Sequence, residues 1–325
     1  MKKFQSYIPQ DNVVVNNVKI PKKIFMIWNS HELSDAMYEN IQLWIDKNHD
    51  WELHLYDFDQ AKEFIEANFS QDVVQAYNNI VPKAYKADLF RYCALYVYGG
   101  VYADIKIVPT DSLDSILTEN PDFLSVKDRQ EKYSEFDGYI ANGFICAKPQ
   151  HQFLKQAIEM VASNSEQGYY GNDPLCPAGP GLLSKAINIC CNKSQTSEIK
   201  SGVHNVNNFS FELLKYSDKF ILNQKGQQFA KISYSGYRKE LYAGRELASS
   251  YPICWFNGRC YVENNQKPDS IYYLRKKEFF IVDYLYLIND IKKARLFALR
   301  SCILKPLLAS RIISRVINYE KSRCK

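Results

Sequence analysis

The chain has 325 residues, 46% hydrophobic and 24% charged, the balance of an ordinary globular protein, which excludes a disordered or fibrous one. Its nine cysteines are scattered, odd in number and without a CxxC pair, which excludes a disulfide framework and a Cys-based zinc site. The net charge of +5 is uneven: residues 291–325 hold ten Lys/Arg against one acid, Glu320, leaving 31 basic and 35 acidic residues elsewhere.

Residues 1–17 begin with lysines but lack the apolar stretch of a secretory signal, and no segment approaches the ~18 apolar residues of a spanning helix. With the reduced thiols, this gives the expectation of a cytoplasmic protein. Residues 22–28, KKIFMIW, read as a buried parallel strand ending at Trp28. Residues 35–48 have helical spacing, 51–57 alternate as a strand, and Asp59 is expected to cap a helix reaching Asn68. This alternation predicts an α/β domain. Val81-Pro82 breaks the chain, residues 83–98 read as a helix closed by Gly99-Gly100, and residues 101–108, VYADIKIV, as a strand. A further strand is expected over 137–149 and a helix over 151–162. A Gly- and Pro-rich loop over 168–181 and a helix over 182–191 follow. Residues 192–226 carry no clear pattern and suit a hairpin or an insertion. The basic, aromatic stretch 236–246 reads as a solvated turn or as part of an acceptor site.

Chemistry concentrates in two places. Asp88 and Arg91 share one face of the 83–98 helix, which is otherwise almost wholly apolar or aromatic. Local pattern leaves open a surface ion pair and a buried functional one. On a strand Asp104 and Lys106 share a face, opposite Ala103, Ile105 and Ile107, near the C-terminal end where α/β sheets bind ligands. Trp28 lies at the same end and could stack a base, or be core. The five histidines have no ligand spacing.

The segments IPKKIFMIW, AYKADLFRYCALYVYGGVYADI and NGFICAKPQHQFL resemble glycosyltransferase family 32, the sugar-transferases with a DXD sequence, over residues 20–183. The resemblance implies a GT-A-type, Rossmann-like fold, a nucleotide-sugar donor and transfer with retention at the anomeric carbon. It implies that Trp28 stacks on the donor base and that Asp88 and Arg91 hold the sugar hydroxyls and phosphate. Asp104 is then the first acid of the DXD, and Asn142 lines the sugar pocket. Gly179 and Pro180 match a turn on the acceptor side, where Trp255 is also placed. Two features depart from the family: Lys106 stands at the second acid, which in the family ligates Mn²⁺ or Mg²⁺, and the family's C-terminal His-x-x-x-x-Ser-Trp segment is missing.

A charged lysine offers no lone pair to a metal. Three readings therefore stay open: Lys106 supplies the cation's charge, a divalent cation is held by Asp104 with Asn257, or the site binds without catalysis. The expectation is a GT-A domain over 1–290 and a basic amphipathic tail over 291–325. The expected function is transfer of a hexose, with a UDP-sugar favoured and a GDP-sugar possible, to a glycan or lipid-linked acceptor in bacterial surface polysaccharide or lipopolysaccharide synthesis. The tail places it on an anionic membrane at the inner face, and no nucleic-acid motif is present. The alternatives are a nucleotide-sugar-binding subunit without catalysis and a protein-glucosylating effector.

Overall fold

Burial along the strands alternates between two apolar cores. A computed structural model describes residues 1–10, 18–128, 138–206, 209–242, 250–263, 291–304, 312–314 and 316–317. Its strands are β1 (Lys2–Lys3), β2 (Ser6–Tyr7), β3 (Lys23–Ile27), β4 (Glu32–Leu33), β5 (Glu52–Tyr56), β6 (Gly100–Ala103), β7 (Val108–Pro109), β8 (Phe123–Lys127), β9 (Ile140–Ala147), β10 (Gly202–Val206), β11 (Phe209–Ser217), β12 (Phe220–Leu222) and β13 (Gln228–Lys231). Its helices are α1 (Asp35–Lys47), α2 (Phe58–Asn68), α3 (Gln71–Asn79), α4 (Lys83–Tyr98), α5 (Gln152–Glu166), α6 (Pro180–Cys190), α7 (Tyr237–Tyr242), α8 (Tyr251–Phe256) and α9 (Ile291–Leu304).

The main sheet runs β2-β5-β3-β6-β9-β8-β11-β12-β13-β7, with β10 on β11. Its centre is mixed: β5, β3 and β6 are parallel, β9 is antiparallel to both β6 and β8, and β11 returns parallel to β8. The α/β class is therefore as expected. Ile24, Met26, Val101 and Ala103 face a core shared with Met37, Ile41 and Trp44 of α1. Phe25 and Tyr102 face a second core with Leu89 and Phe90 of α4, Phe153 of α5 and Leu183 of α6. A two-residue period on parallel strands covered on both sides produces this division.

Two expectations change. Asp57, not Asp59, caps α2: its carboxylate accepts from the Gln60 N–H at 2.8 Å while Gln60 Oε1 accepts from the Asp57 N–H at 3.2 Å, a reciprocal box that places Asp59 in the first turn. The 101–108 strand stops at Ala103, and the Ile107 N–H donates to the Asp104 carbonyl at 2.8 Å, so Asp104 to Ile107 form a turn. Of the two readings of residues 192–226 the hairpin holds: β10, β11 and β12 pair there as antiparallel neighbours, and β11 joins the main sheet through β8. Helices α3 and α8 and strands β1, β2, β4, β8 and β13 carried no prediction. Elsewhere the match is close: α4 covers the predicted residues and ends at Gly99, whose φ of +64° and crowding by Pro149 admit only glycine.

Asp122, just before β8, ties three distant segments together. Its carboxylate accepts from Lys148 Nζ at 2.8 Å, from the Ser210 N–H at 2.7 Å and from Lys19 Nζ at 3.4 Å. Burial alone would raise its pKa, but these three donors outweigh it and bring the carboxyl to about 2. A depressed carboxyl stabilises the fold above the ordinary value near 3.8, and that contribution is lost as pH falls towards 2. Asp122→Asn is expected to cost about 2 kcal/mol at neutral pH. Urea denaturation at pH 7 and pH 3 checks this, the difference between variant and wild type shrinking at the lower pH.

Candidate active site

Helix α4 carries Asp88 and Arg91 into the interior because its neighbours on every side are apolar: residues 87–95 are buried without interruption. Arg91 Nη2 lies 3.1 Å from Asp88 Oδ1 and 3.4 Å from Asp104 Oδ1. Its Nη1 donates to the Asn142 carbonyl at 2.7 Å, and its guanidinium stands 4.4 Å from the centre of the Tyr102 ring. Of the two readings of the helical pair, the buried one holds. A buried pair is costly unless the remaining donors are used, and here they are.

Asn142 of β9 completes the arrangement by donating to Asp88 Oδ1 at 2.8 Å and reaching the Tyr92 hydroxyl at 3.0 Å. The Tyr92 hydroxyl donates to the Ala178 carbonyl at 2.9 Å, beside Gly179, which caps α6 with Pro180 at its first position. A Cβ on Gly179 would lie 3.5 Å from Asp88 Oδ2, so the 168–181 loop closes directly over Asp88.

Asp104 is half-buried. Its Oδ1 accepts from the Tyr102 hydroxyl at 3.1 Å, and its Oδ2 lies 3.0 Å from Lys106 Nζ. Strand alternation does not bring these two together; the turn does. That turn is fixed from two sides: Asn40 Nδ2 donates to the Ile105 and Ile107 carbonyls at 2.8 and 2.9 Å, and Trp44 Nε1 to Ile107 at 2.9 Å. The Tyr234 N–H then donates to the Lys106 carbonyl at 3.1 Å.

Asp88, Arg91, Asp104 and Lys106 thus form one alternating chain of charge. Burial pushes the Asp88 carboxyl above the ordinary range against the pull of Arg91. Burial works in the same sense on Asp104, but Lys106 and Arg91 together outweigh it and hold that carboxyl low. The Asp104 charge keeps Lys106 firmly protonated despite burial.

Trp28 sits half-buried at the end of β3, with the Tyr237 ring 6.1 Å away and tilted by 50°. Tyr237 adjoins Tyr234 at 5.6 Å, and Glu240 accepts from the Tyr234 hydroxyl at 2.7 Å and from Ser34 Oγ at 2.8 Å. The described part of 236–246 is therefore a strap packed on Trp28, not a solvated turn. Its residues 243–246 lie outside the described ones.

One placement is corrected. Trp255 is 0% exposed, with its indole N–H donating to the Tyr170 carbonyl at 2.8 Å, so it supports the wall from behind and cannot touch an acceptor. Asn257 is exposed at the end of α8, and its amide donates to Ile253 of its own helix at 2.8 Å. The residues present do not suit a divalent cation. Both oxygens of Asp104 already face cations or a hydroxyl, and among the described residues no three His, Cys, Asp or Glu side chains come together.

Tyr92, Tyr102 and Tyr237 adjoin the candidate site residues and carried no role in the sequence reading. Tyr102 lies two before Asp104, which was the available signal.

Gly143 gives a direct test of the geometry. A Cβ there would lie 2.7 Å from Asp104 Oδ2, against a movable side chain in a backbone that alanine accepts. Gly143→Ala is expected to leave the melting temperature within a few degrees and to lower turnover about 100-fold by displacing the carboxylate. Thermal melts and steady-state rates on the same preparation check both halves.

Residues 19–123 match the family described as "Glycosyltransferase sugar-binding region containing DXD motif". Over this region, about a third of the chain, the sequence is similar to the DXD glycosyltransferases. The match contains Trp28, Asp88, Arg91, Asp104 and Lys106. An initiation-specific alpha-1,6-mannosyltransferase of Candida albicans is 34% identical over 34% of this chain and 30% of its own length. An inositol phosphoceramide mannosyltransferase of Schizosaccharomyces pombe is 27% identical over 51% of this chain and 50% of its own. The chain thus spans half or less of these DXD-family relatives. The solved structure of PaToxG glycosyltransferase superposes with a TM-score of 0.40, at 17% identity, over 53% of this chain and 70% of that one.

Proposed function

We propose that the protein is a retaining glycosyltransferase of GT-A type that moves a hexose from a nucleotide-sugar to a glycan or lipid-linked acceptor. The reading rests on one observation: the contiguous chain Asp88–Arg91–Asp104–Lys106 inside the matched sugar-binding region. In this reading the base lies against Trp28, and Asp88 and Asn142 orient the sugar hydroxyls. Arg91 and Lys106 face the diphosphate. The bond from the anomeric carbon to the phosphate oxygen breaks with its electron pair leaving on the diphosphate. The acceptor oxygen bonds to the same face of that carbon, and its proton passes to a phosphate oxygen.

Charge supports Lys106 as the stabiliser of the leaving group. An aspartate at 106 would carry one negative charge and lysine carries one positive. The exchange adds two positive charges to the site, the amount a divalent cation would bring. A fixed ammonium aimed where negative charge develops does the same electrostatic work.

The matched relatives' names favour mannose as the sugar; a UDP-sugar is the donor favoured in the sequence reading, with a GDP-sugar possible. The acceptor we assign is a growing surface polysaccharide or lipopolysaccharide intermediate. A screen of nucleotide release over UDP- and GDP-hexoses tests the proposal. Release of one nucleotide, enhanced by a glycan acceptor and absent in Asp104→Asn, is the expected result. Donor binding by calorimetry with no release under any acceptor would instead make the protein a binding subunit.

A further inference from the structure

Helix α9 is turned the wrong way for a helix that serves only to cover a core. Among its described residues the buried side chains are small, Ala298 and Ser301, with Phe297 and Cys302 partly buried. Three large ones face solvent: Leu296, Leu299 and Ile303 are 67, 60 and 71% exposed. Their spacing of three and four residues places them in one stripe along the helix. Arg295 and Arg300 are exposed on the flanks of that stripe. Further along, Ile312 is buried while Ile313 and Ile317 are again half exposed, so the pattern continues into the next described residues. A single exposed leucine means nothing, but a contiguous row marks an interaction surface.

We infer that the outer face of α9 is a docking surface for an anionic lipid bilayer. Charge selects this occupant. Residues 291–325 carry ten Lys/Arg against one acid, in a chain whose remainder is net negative. Leucine and isoleucine in a stripe with arginine on its margins is the composition of a helix lying at the headgroup boundary, its aliphatic side chains inserted and its guanidinium groups on lipid phosphates. No helix among the described residues is long and apolar enough to cross a membrane. The inference does not depend on the catalytic reading. If that reading holds, it brings the site to a lipid-linked acceptor.

The test is flotation of the full chain with vesicles of phosphatidylcholine, with and without phosphatidylglycerol. The wild type is expected to float with the anionic vesicles, and raised salt should weaken this. The triple variant Leu296→Ser, Leu299→Ser, Ile303→Ser should lose about tenfold or more in affinity. Arg300→Glu should lose less and become less sensitive to salt. Leu43→Ser, at another exposed leucine, should bind as wild type. The substituted side chains are exposed, so the melting temperature should hold and serves as the check on folding. Failure of the wild type to bind, equal binding to neutral vesicles, or unchanged binding by the triple variant would each overturn the inference. So would a wild-type dimer in sedimentation that the triple variant dissociates, since the face would then belong to a second copy of the chain.

Discussion

Arg91→Ala is expected to lose about 3–5 kcal/mol of folding stability and all measurable transfer. The guanidinium serves Asp88, Asp104, the Asn142 carbonyl and the Tyr102 ring at once, and its removal leaves two carboxylates facing each other in the interior. A loss of activity alone would not separate folding from chemistry. Arg91→Lys does: an ammonium retains the charge but cannot reach three partners in different directions. That variant should fold, with a melting temperature lowered by several degrees, and lose about 100-fold or more in turnover. Wild-type turnover in Arg91→Lys would remove Arg91 from the site. An unchanged melting temperature in Arg91→Ala would contradict the buried network.

The second large effect falls on Lys106. Lys106→Met should lower turnover by about 100- to 1000-fold, the range for removing one preorganised charge from a developing anion. Its aliphatic stem is kept, so stability should change little. Lys106→Asp should be as poor alone and recover with Mn²⁺, because the new carboxylate beside Asp104 makes the oxygen pair a cation needs. The measurement is turnover against Mn²⁺ concentration for wild type and both variants. A Lys106→Asp enzyme indifferent to Mn²⁺ would mean that residue 106 does not lie where the family holds its metal.

The parts of the fold set by short-range physics were legible in the sequence. Pro82 and Gly99 bracket α4, one lacking a donor and the other taking positive φ, and both ends were predicted. The pairing of Asp88 with Arg91 followed from helical spacing alone. The contact between Asp104 and Lys106 was expected for the wrong reason: a turn, held by Asn40 and Trp44 of a distant helix, brings them together where strand alternation was supposed. Such a turn depends on tertiary hydrogen bonds that no local pattern displays.

The same holds for Asn142. A family position was assigned to it from the resemblance, but the amide that joins Asp88 to Tyr92 is defined only by the antiparallel register of β9 against β6. Trp255 shows the opposite error. It was placed on the acceptor side, and it is core. Tyr237 was passed over because a basic stretch with glycine reads as solvated, and only its packing on Trp28 reveals it.

The central claim is that Lys106 supplies the charge that the family resemblance would assign to a divalent cation. The most direct test is nucleotide release by the wild-type protein, with its best donor, in EDTA and in Mn²⁺, with Asp104→Asn as the background. Release at equal rates in both is predicted. Release confined to Mn²⁺ would contradict the claim and return the metal to the site.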